Sequence, residues 1–362
     1  MDAIVEERPL GRKTGRSDDP AVSVVIAAYN AQRYIAEAVA SVLRQSFTDF
    51  ELIVVDDGST DRTAEIVESF ADPRLRLIRG ARRGTSATTN DGLRLSRAPL
   101  VARLDADDVM EPNRLERQVA FLTERPHLGG AASHYWLIDE NGVVRGAHTP
   151  RLETMRDVEL QLRYGGRLTY PHPTVMYRRQ VVLGLGGYDS RFDRTEDVDM
   201  LLRMHEAGWP ILMQPEKLTR FRVHGASVSA LNARTQHFHN ETIFGNYQRR
   251  RRGEADLPIE HYVALSRANL LRRLVTEGRI LASRLKRART IALMRRRPVL
   301  SAAISVAAIL LDLRGAAGAL LRRLHRWRSM ASLPALSKSE AAPAIDAARG
   351  GAGSRRHARA VP

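Results

Sequence analysis

Val22-Ser23-Val24-Val25-Ile26-Ala27-Ala28-Tyr29-Asn30 is the stretch that decides the fold of this chain. Its first seven residues are mainly β-branched and apolar, too few for a helix, and an asparagine that can cap the next element follows closely. Val22–Ala28 therefore reads as a buried strand. Over Ala31–Arg44 the apolar residues Ile35, Ala38, Val39, Val42 and Leu43 recur at three- and four-residue spacing, which predicts an amphipathic helix. A second strand at Glu51–Val55 runs into Asp56-Asp57-Gly58-Ser59-Thr60-Asp61, a turn-rich loop able to cap a helix over Thr63–Ser69. A strand at Leu75–Ile78, a helix at Ser86–Leu95 and a fourth strand at Leu100–Leu104 follow, the last ending at Asp105-Ala106-Asp107-Asp108. Strands alternating with helices predict an α/β fold with a mostly parallel central sheet flanked by helices. Ligands of such sheets bind beyond the carboxyl ends of the strands, where all of these polar loops lie.

From 128 to 225 the pattern is less regular, with a strand at Gly130–Ile138, a turn at Asn141-Gly142 and a helix at Val198–Ala207. Beyond Ala230 it becomes helical and then arginine-rich. The expected layout is a flexible segment over 1–20, a main domain over 21–230, a basic helical appendage over 231–330 and a disordered tail over 331–362. The chain has no cysteine, so disulfides and thiolate metal sites are excluded and a metal must take oxygen or imidazole ligands. Residues 1–20 lack the apolar core of a secretory signal, so a cytoplasmic location is expected.

The formal net charge of +16 is concentrated in one place. Between Arg249 and Arg328 there are 20 Arg or Lys against 5 acidic residues, so almost the whole excess belongs to the appendage. Nucleic-acid binding would want aromatics among those cations, and Tyr262 is the sole Phe, Tyr or Trp from 249 to 297. Nucleic acid is therefore not an expected partner. Pro298–Leu311 is an apolar run of 14 residues, shorter than the roughly 20 needed to span a bilayer. With arginines on both sides it suits a helix lying peripherally on an anionic inner membrane surface; the alternative is a helix packed on the main domain.

Three acidic groups are candidates for chemistry. Asp105, Asp107 and Asp108 end an apolar strand, and carboxylates so close repel one another unless a hard cation is present. The competing reading is a solvated turn before the next helix. Asp56-Asp57 reads either as an Asx-type turn into Gly58-Ser59 or as an acceptor for a nucleotide's base or ribose. Glu196-Asp197 reads either as acids favoured by a helix N-terminus or as a general base. His172 reads as a packed core residue, whereas His224 is open to either a core or a ligand role.

Taken together, Val22 to Asn30, Val54-Val55-Asp56-Asp57-Gly58-Ser59-Thr60-Asp61 and Asp105-Ala106-Asp107-Asp108 followed by Pro112 resemble the family 2 glycosyltransferases over roughly residues 21–225. The resemblance implies a nucleotide-diphosphosugar transferase fold of the GT-A type and a single-displacement, inverting sugar transfer. It places Ala27, Tyr29 and Asp57 at the nucleobase, and Asp105 to Asp108 at ribose, diphosphate and a Mg²⁺ or Mn²⁺ ion. Asp107 and Asp108 would ligate the metal, with His224 approaching it, and Asp197 would be the base with Glu196 second. The partners so implied are a nucleotide-diphosphate sugar donor and a glycan or lipid-linked acceptor.

Two positions depart from the family. Ala27 stands where many relatives carry proline, and Thr89 where they often carry arginine; Arg82 or Arg83 is the expected substitute at the nucleotide. The Gln-x-x-Arg-Trp signature of processive synthases is absent, so one sugar per encounter is expected. The rival readings are a basic binding module without catalysis and a sugar nucleotidyltransferase. The second would need a glycine-rich loop where Ala28-Tyr29-Asn30-Ala31 stands.

Overall fold

The computed structural model describes residues 6–7, 19–165, 168, 170–224, 232–294 and 298–312. Most of the 1–20 segment, the 331–362 tail and the arginines at 295–297 and 322–323 lie outside the described residues.

The first half alternates as expected: β1 (Glu6–Glu7), β2 (Val22–Ala28), α1 (Ile35–Leu43), β3 (Phe50–Asp56), α2 (Thr63–Glu68), β4 (Leu75–Arg79), α3 (Thr85–Leu95) and β5 (Leu100–Asp105). Strands β2 to β5 fall within a residue of their predicted bounds because most of their apolar residues are buried. Helix α1 starts four residues later than its periodicity predicts. The cause is local: Ala31 N–H donates to Thr63 Oγ1 at 2.7 Å and Gln32 N–H to Asp61 Oδ2 at 3.1 Å, so the 59–63 loop holds the segment that periodicity assigned to the helix. Asn30 sits at φ 48°, a left-handed value that asparagine tolerates.

Strands β4, β3, β2 and β5 are neighbours in that order and all parallel, with Ala28 opposite Asp56 and Ala27 opposite Asp105. Chain order reverses at β2, which makes the β2/β5 boundary a topological switch point with a crevice at its carboxyl end. Helix α3 lies so close over β2 that a Cβ at Gly92 would stand 2.4 Å from Val25 Cγ1, a packing only glycine allows.

The second half comprises β6 (Val109–Met110), α4 (Arg114–Thr123), β7 (Gly130–Ile138), β8 (Val144–His148), α5 (Met155–Gly165), β9 (Met176–Arg178), α6 (Arg179–Gly184), α7 (Glu196–Glu206) and β10 (Ile211–Arg222). Here the sheet is mixed. Strand β9 runs antiparallel between β5 and β7, β10 lies parallel to β7, and the two-residue β6 pairs antiparallel with β10 at the edge. That last pairing brings the end of β10 beside the acidic loop after β5.

Beyond β10 come α8 (Ala233–Arg250), α9 (Ile259–Arg267), α10 (Leu270–Met294) and α11 (Pro298–Leu311). Helix α8 joins the main core through Ile243 and Tyr247. Among the described residues, no helix is long and apolar enough to cross a membrane.

Candidate functional site

The acidic loop closes on itself at the switch point. Asp108 N–H donates to Asp105 O at 3.2 Å, turning the chain so that Asp105, Asp107 and Asp108 can each place a carboxylate oxygen within 4.8 Å of the others. Asp108 is buried; its Oδ1 accepts from Arg222 N–H at 2.7 Å, while its Oδ2 is buried without a partner. Burial, with Asp107 and Asp105 alongside, holds the Asp108 carboxyl well above the ordinary carboxylate range. Asp105 is also raised, mainly by burial and then by Asp107, against the Arg103 guanidinium that lies 3.1 Å away. A buried acceptor with no donor and three mutually repelling carboxyls are a poor arrangement for a capping turn. They are a good one for a hard divalent cation, which takes oxygen ligands and reverses the sign of the local field.

Arg222 is the clasp of this loop. Its guanidinium is almost wholly buried; Nε donates to Asp107 O at 2.7 Å, Nη1 to Asp139 O at 3.2 Å and Nη2 to Glu37 Oε2 at 2.5 Å. Tyr34 packs its ring against the same group, 4.5 Å from the guanidinium carbon, and lies 5.3 Å from the His224 ring. His224 Nε2 lies 2.8 Å from Asp107 Oδ2, so the histidine is at the loop rather than in the core. The residues that follow it, 225–231, lie outside the described residues.

On the β3 side, Asp57 uses both oxygens on backbone: Oδ1 accepts from Arg83 N–H at 2.7 Å and Oδ2 from Gly84 N–H at 2.9 Å. It thereby fixes the 83–84 turn against the end of β3, with Gly84 at φ 90°. Asp56 accepts from the Ser59 hydroxyl and, at 3.2 Å, from its amide, so the Asx-turn reading holds for this residue. The Arg83 guanidinium is committed to Asp91, whereas Arg82 lies 4.7 Å over the exposed ring of Tyr29. Of the two arginines offered as substitutes for Thr89, Arg82 thus stands at the strand-end rim. Thr89 itself is buried, with its hydroxyl unpartnered.

Glu196 and Asp197 lie in the first turn of α7, where the helix dipole favours anions. Thr195 is the N-cap residue but makes no cap bond; its hydroxyl donates to Phe192 O at 3.0 Å and meets His239 Nδ1 at 3.0 Å. The Asp197 carboxyl accepts from Val198 N–H and is nonetheless pushed up to about 6 by burial, with Asp105 adding to the rise. It therefore lies within electrostatic reach of the acidic loop. Glu196 is more deeply buried, leaves Oε2 unpartnered and is pushed up to about 8, by burial first and Asp197 second. Both carboxyls are thus held above the ordinary carboxylate range, by burial first. His172 is buried, with Nε2 2.8 Å from the Tyr188 hydroxyl, and burial holds it well below the ordinary histidine range, as a core residue would be.

The structure thus gathers Asp105, Asp107, Asp108 and His224 in one cluster, brings Asp197 within its field, and sets Ala27, Tyr29 and Asp57 at the neighbouring strand ends. Sequence reasoning missed Arg222, Tyr34, Glu37 and Arg103, which hold the loop. The one available signal was Arg103 at alternate spacing from Asp105 in an otherwise apolar strand.

The family described as "Glycosyl transferase family 2" matches residues 23–185. The putative glycosyltransferase EpsE of Bacillus subtilis (strain 168) is 32% identical over 254 residues, covering 68% of this chain and 87% of that protein. The Escherichia coli protein named UDP-Glc:alpha-D-GlcNAc-diphosphoundecaprenol beta-1,3-glucosyltransferase WfgD is 32% identical over 128 residues, covering 35% of this chain and 50% of that one. Among solved structures, the mannosyltransferase PcManGT of Pyrobaculum calidifontis, in complex with GDP-Man and Mn²⁺, superposes with a TM-score of 0.50 at 20% identity, covering 80% of this chain and 88% of that one.

Proposed function

As this chain belongs to glycosyl transferase family 2 and is a glycosyltransferase of the GT-A fold, we propose that it moves one sugar from a nucleotide-diphosphate donor to an acceptor hydroxyl with inversion at the anomeric carbon. The observation that carries this reading is the approach of two carboxylate groups of different kinds: a cluster that repels itself at the end of β5, and Asp197 at the start of α7, 89 positions further along the chain and within electrostatic reach of Asp105.

Asp105, Asp107 and Asp108 would hold a Mg²⁺ or Mn²⁺ ion, with His224 beside Asp107. Such an ion, when bound, offsets the negative charge of the departing diphosphate. Tyr29, with Arg82 over its ring, offers a flat rim for the nucleobase, and Asp57 fixes the 83–84 turn at that rim. The acceptor oxygen forms its bond to the anomeric carbon as the bond to the diphosphate oxygen breaks. Its proton passes to the Asp197 carboxylate, which must face the side opposite the leaving group. Glu196 lies beside it in the same first turn, with burial raising its carboxyl above the ordinary range. The acceptor is proposed to be a glycan or a lipid-linked sugar of cell-surface polysaccharide assembly, met at the cytoplasmic face of a membrane. Support comes from the similarity to WfgD, whose name carries a diphosphoundecaprenol acceptor.

Incubation with a panel of nucleotide-sugars and Mn²⁺ tests the reading. Release of nucleoside diphosphate from one of them is expected. Release of pyrophosphate from a nucleoside triphosphate, with no reaction of any nucleotide-sugar, would instead identify a nucleotidyltransferase.

A further inference from the structure

Helix α11 packs the opposite way from a helix of a water-soluble protein. Toward α10 it buries small residues, Ser301 at 4% exposure and Ala308 at 2%, and Ser305 donates its hydroxyl back to Ser301 O at 2.8 Å. Outward it shows its bulk: Val299 is 82% exposed, Val306 59% and Leu310 66%. Helix α10 buries two small residues, Ala282 and Ala292, alongside Ile280 and Met294, and comes close to α11 at Gly278, where a Cβ would lie 3.4 Å from Leu311 O. In water the hydrophobic effect drives large aliphatic side chains inward, and isolated exceptions are ordinary. Among the described residues the exposed aliphatics are concentrated on one hairpin, with Leu270, Leu271 and Leu274 of α10 also exposed. A helix that buries its small residues and turns bulky apolar ones outward, as α11 does, is the arrangement that suits lipid.

Length and charge fix the manner of contact. Residues 298–311 contain no charged side chain, and the helix is about 21 Å long at 1.5 Å per residue. That falls short of the roughly 30 Å hydrocarbon core. Helix α10 carries seven Arg or Lys and one acid, Glu277, which is bonded to Arg234 of α8 at 2.7 Å. The acid after α11, Asp312, is bonded to Lys286 at 2.9 Å. A surface that is apolar on one helix and cationic on its neighbour complements an anionic lipid interface, both in its acyl boundary and in its headgroups.

We propose that the α10–α11 hairpin is a monotopic anchor: α11 lies in the plane of an anionic bilayer with Val299, Val306 and Leu310 in the acyl boundary, and the cations of α10 engage the phosphate headgroups. The anchor is coupled to the site through α8, which bonds α10 at Glu277 and reaches the segment before Glu196 through Gln236 Nε2 to Arg194 O, at 3.0 Å, and through His239 to Thr195. The proposal goes beyond sugar transfer and does not depend on it, because vesicle binding requires no donor.

The test is co-sedimentation of the full chain with vesicles of phosphatidylcholine, alone or mixed with phosphatidylglycerol. Partitioning onto the anionic vesicles is expected to exceed that onto neutral ones by about tenfold, and to fall with added salt. The double variant Val306→Asp, Leu310→Asp is expected to lose about tenfold in partitioning with an unchanged melting temperature. A Leu310→Trp variant should show stronger fluorescence quenching by brominated acyl chains than the parent, whose own tryptophans are Trp136, Trp209 and Trp327. Three results would overturn the proposal: equal partitioning of the double variant and the parent, equal partitioning onto neutral and anionic vesicles, or a parent that stays in the supernatant as a dimer dissolved by the double substitution.

Discussion

The backbone N–H of Arg222 donates to Asp108 Oδ1 at 2.7 Å, joining the last residue of β10 to an acidic loop 114 positions earlier. The other oxygen of Asp108 is buried and receives nothing. One half of this carboxylate is therefore structural and the other is left for a ligand. The Arg222 side chain completes the arrangement by holding Asp107 and Asp139 through their carbonyls and Glu37 through its carboxylate.

Arg222→Lys removes the planar fork that serves three acceptors at once, and a lysine ammonium cannot reach all of them from one position. A loss of about 2 kcal/mol in urea unfolding is expected, the scale of leaving buried carbonyls unpaired. Cation-dependent stabilisation should fall with it, because the loop loses its shape.

Asp108→Asn separates the two roles. Asparagine oxygen still accepts from Arg222 N–H, and one charge leaves a cluster in which burial and neighbours hold the carboxyl well above its ordinary range. Without divalent cation the variant should melt at or above the parent's temperature near pH 7. With Mn²⁺ the parent should gain stability and the variant little, so the order of the two reverses in differential scanning fluorimetry.

Asp197→Asn is expected to retain donor-dependent thermal stabilisation and lose turnover by about a hundredfold to ten-thousandfold, the range for removal of a general base. In the parent, kcat/KM should rise with pH through an ionisation near 6 and fall away below it, because the carboxyl pushed up to about 6 must be deprotonated to accept the hydroxyl proton. Persistence of that acidic limb in a residually active Asp197→Asn protein would assign it to another group.

Glu196 gives a stability signature of the opposite kind. Its carboxyl is pushed up to about 8, above the ordinary value near 4.3 that it regains on unfolding. The folded state therefore binds the proton more tightly, and the resulting stability is present at low pH and lost as pH climbs from about 4 to about 8. Glu196→Gln removes this dependence. Its advantage over the parent should grow steadily between pH 5 and pH 8, read as a widening difference in melting temperature.

How far the sequence carried these conclusions depends on how local each feature is. Strands β2 to β5 were legible because each is a short apolar run between polar turns, and the Asp105-Ala106-Asp107-Asp108 and Glu196-Asp197 groups because their residues are contiguous. The clasp was not legible. Arg222 reaches Asp108 only because β10 pairs with the two-residue β6, an element too short for any periodicity. Asp57 shows the same limit from the other side: its type and position suit a nucleobase, but its spending of both oxygens on the 83–84 amides follows from a turn conformation that residue type does not encode. The inverted packing of α11 was hidden as well, since an apolar run of 14 residues does not say which of its faces meets α10.

Calorimetric titration of Mn²⁺ into the protein, with and without a nucleoside diphosphate present, compared between the parent and Asp107→Ala, isolates the acidic cluster from every later step. The parent should bind Mn²⁺ more tightly when diphosphate is present, because the two share ligands, and Asp107→Ala should lose that coupling by about tenfold or more in affinity. Equal coupled binding by the parent and the Asp107→Ala protein would show that the carboxylates after β5 do not hold the cation.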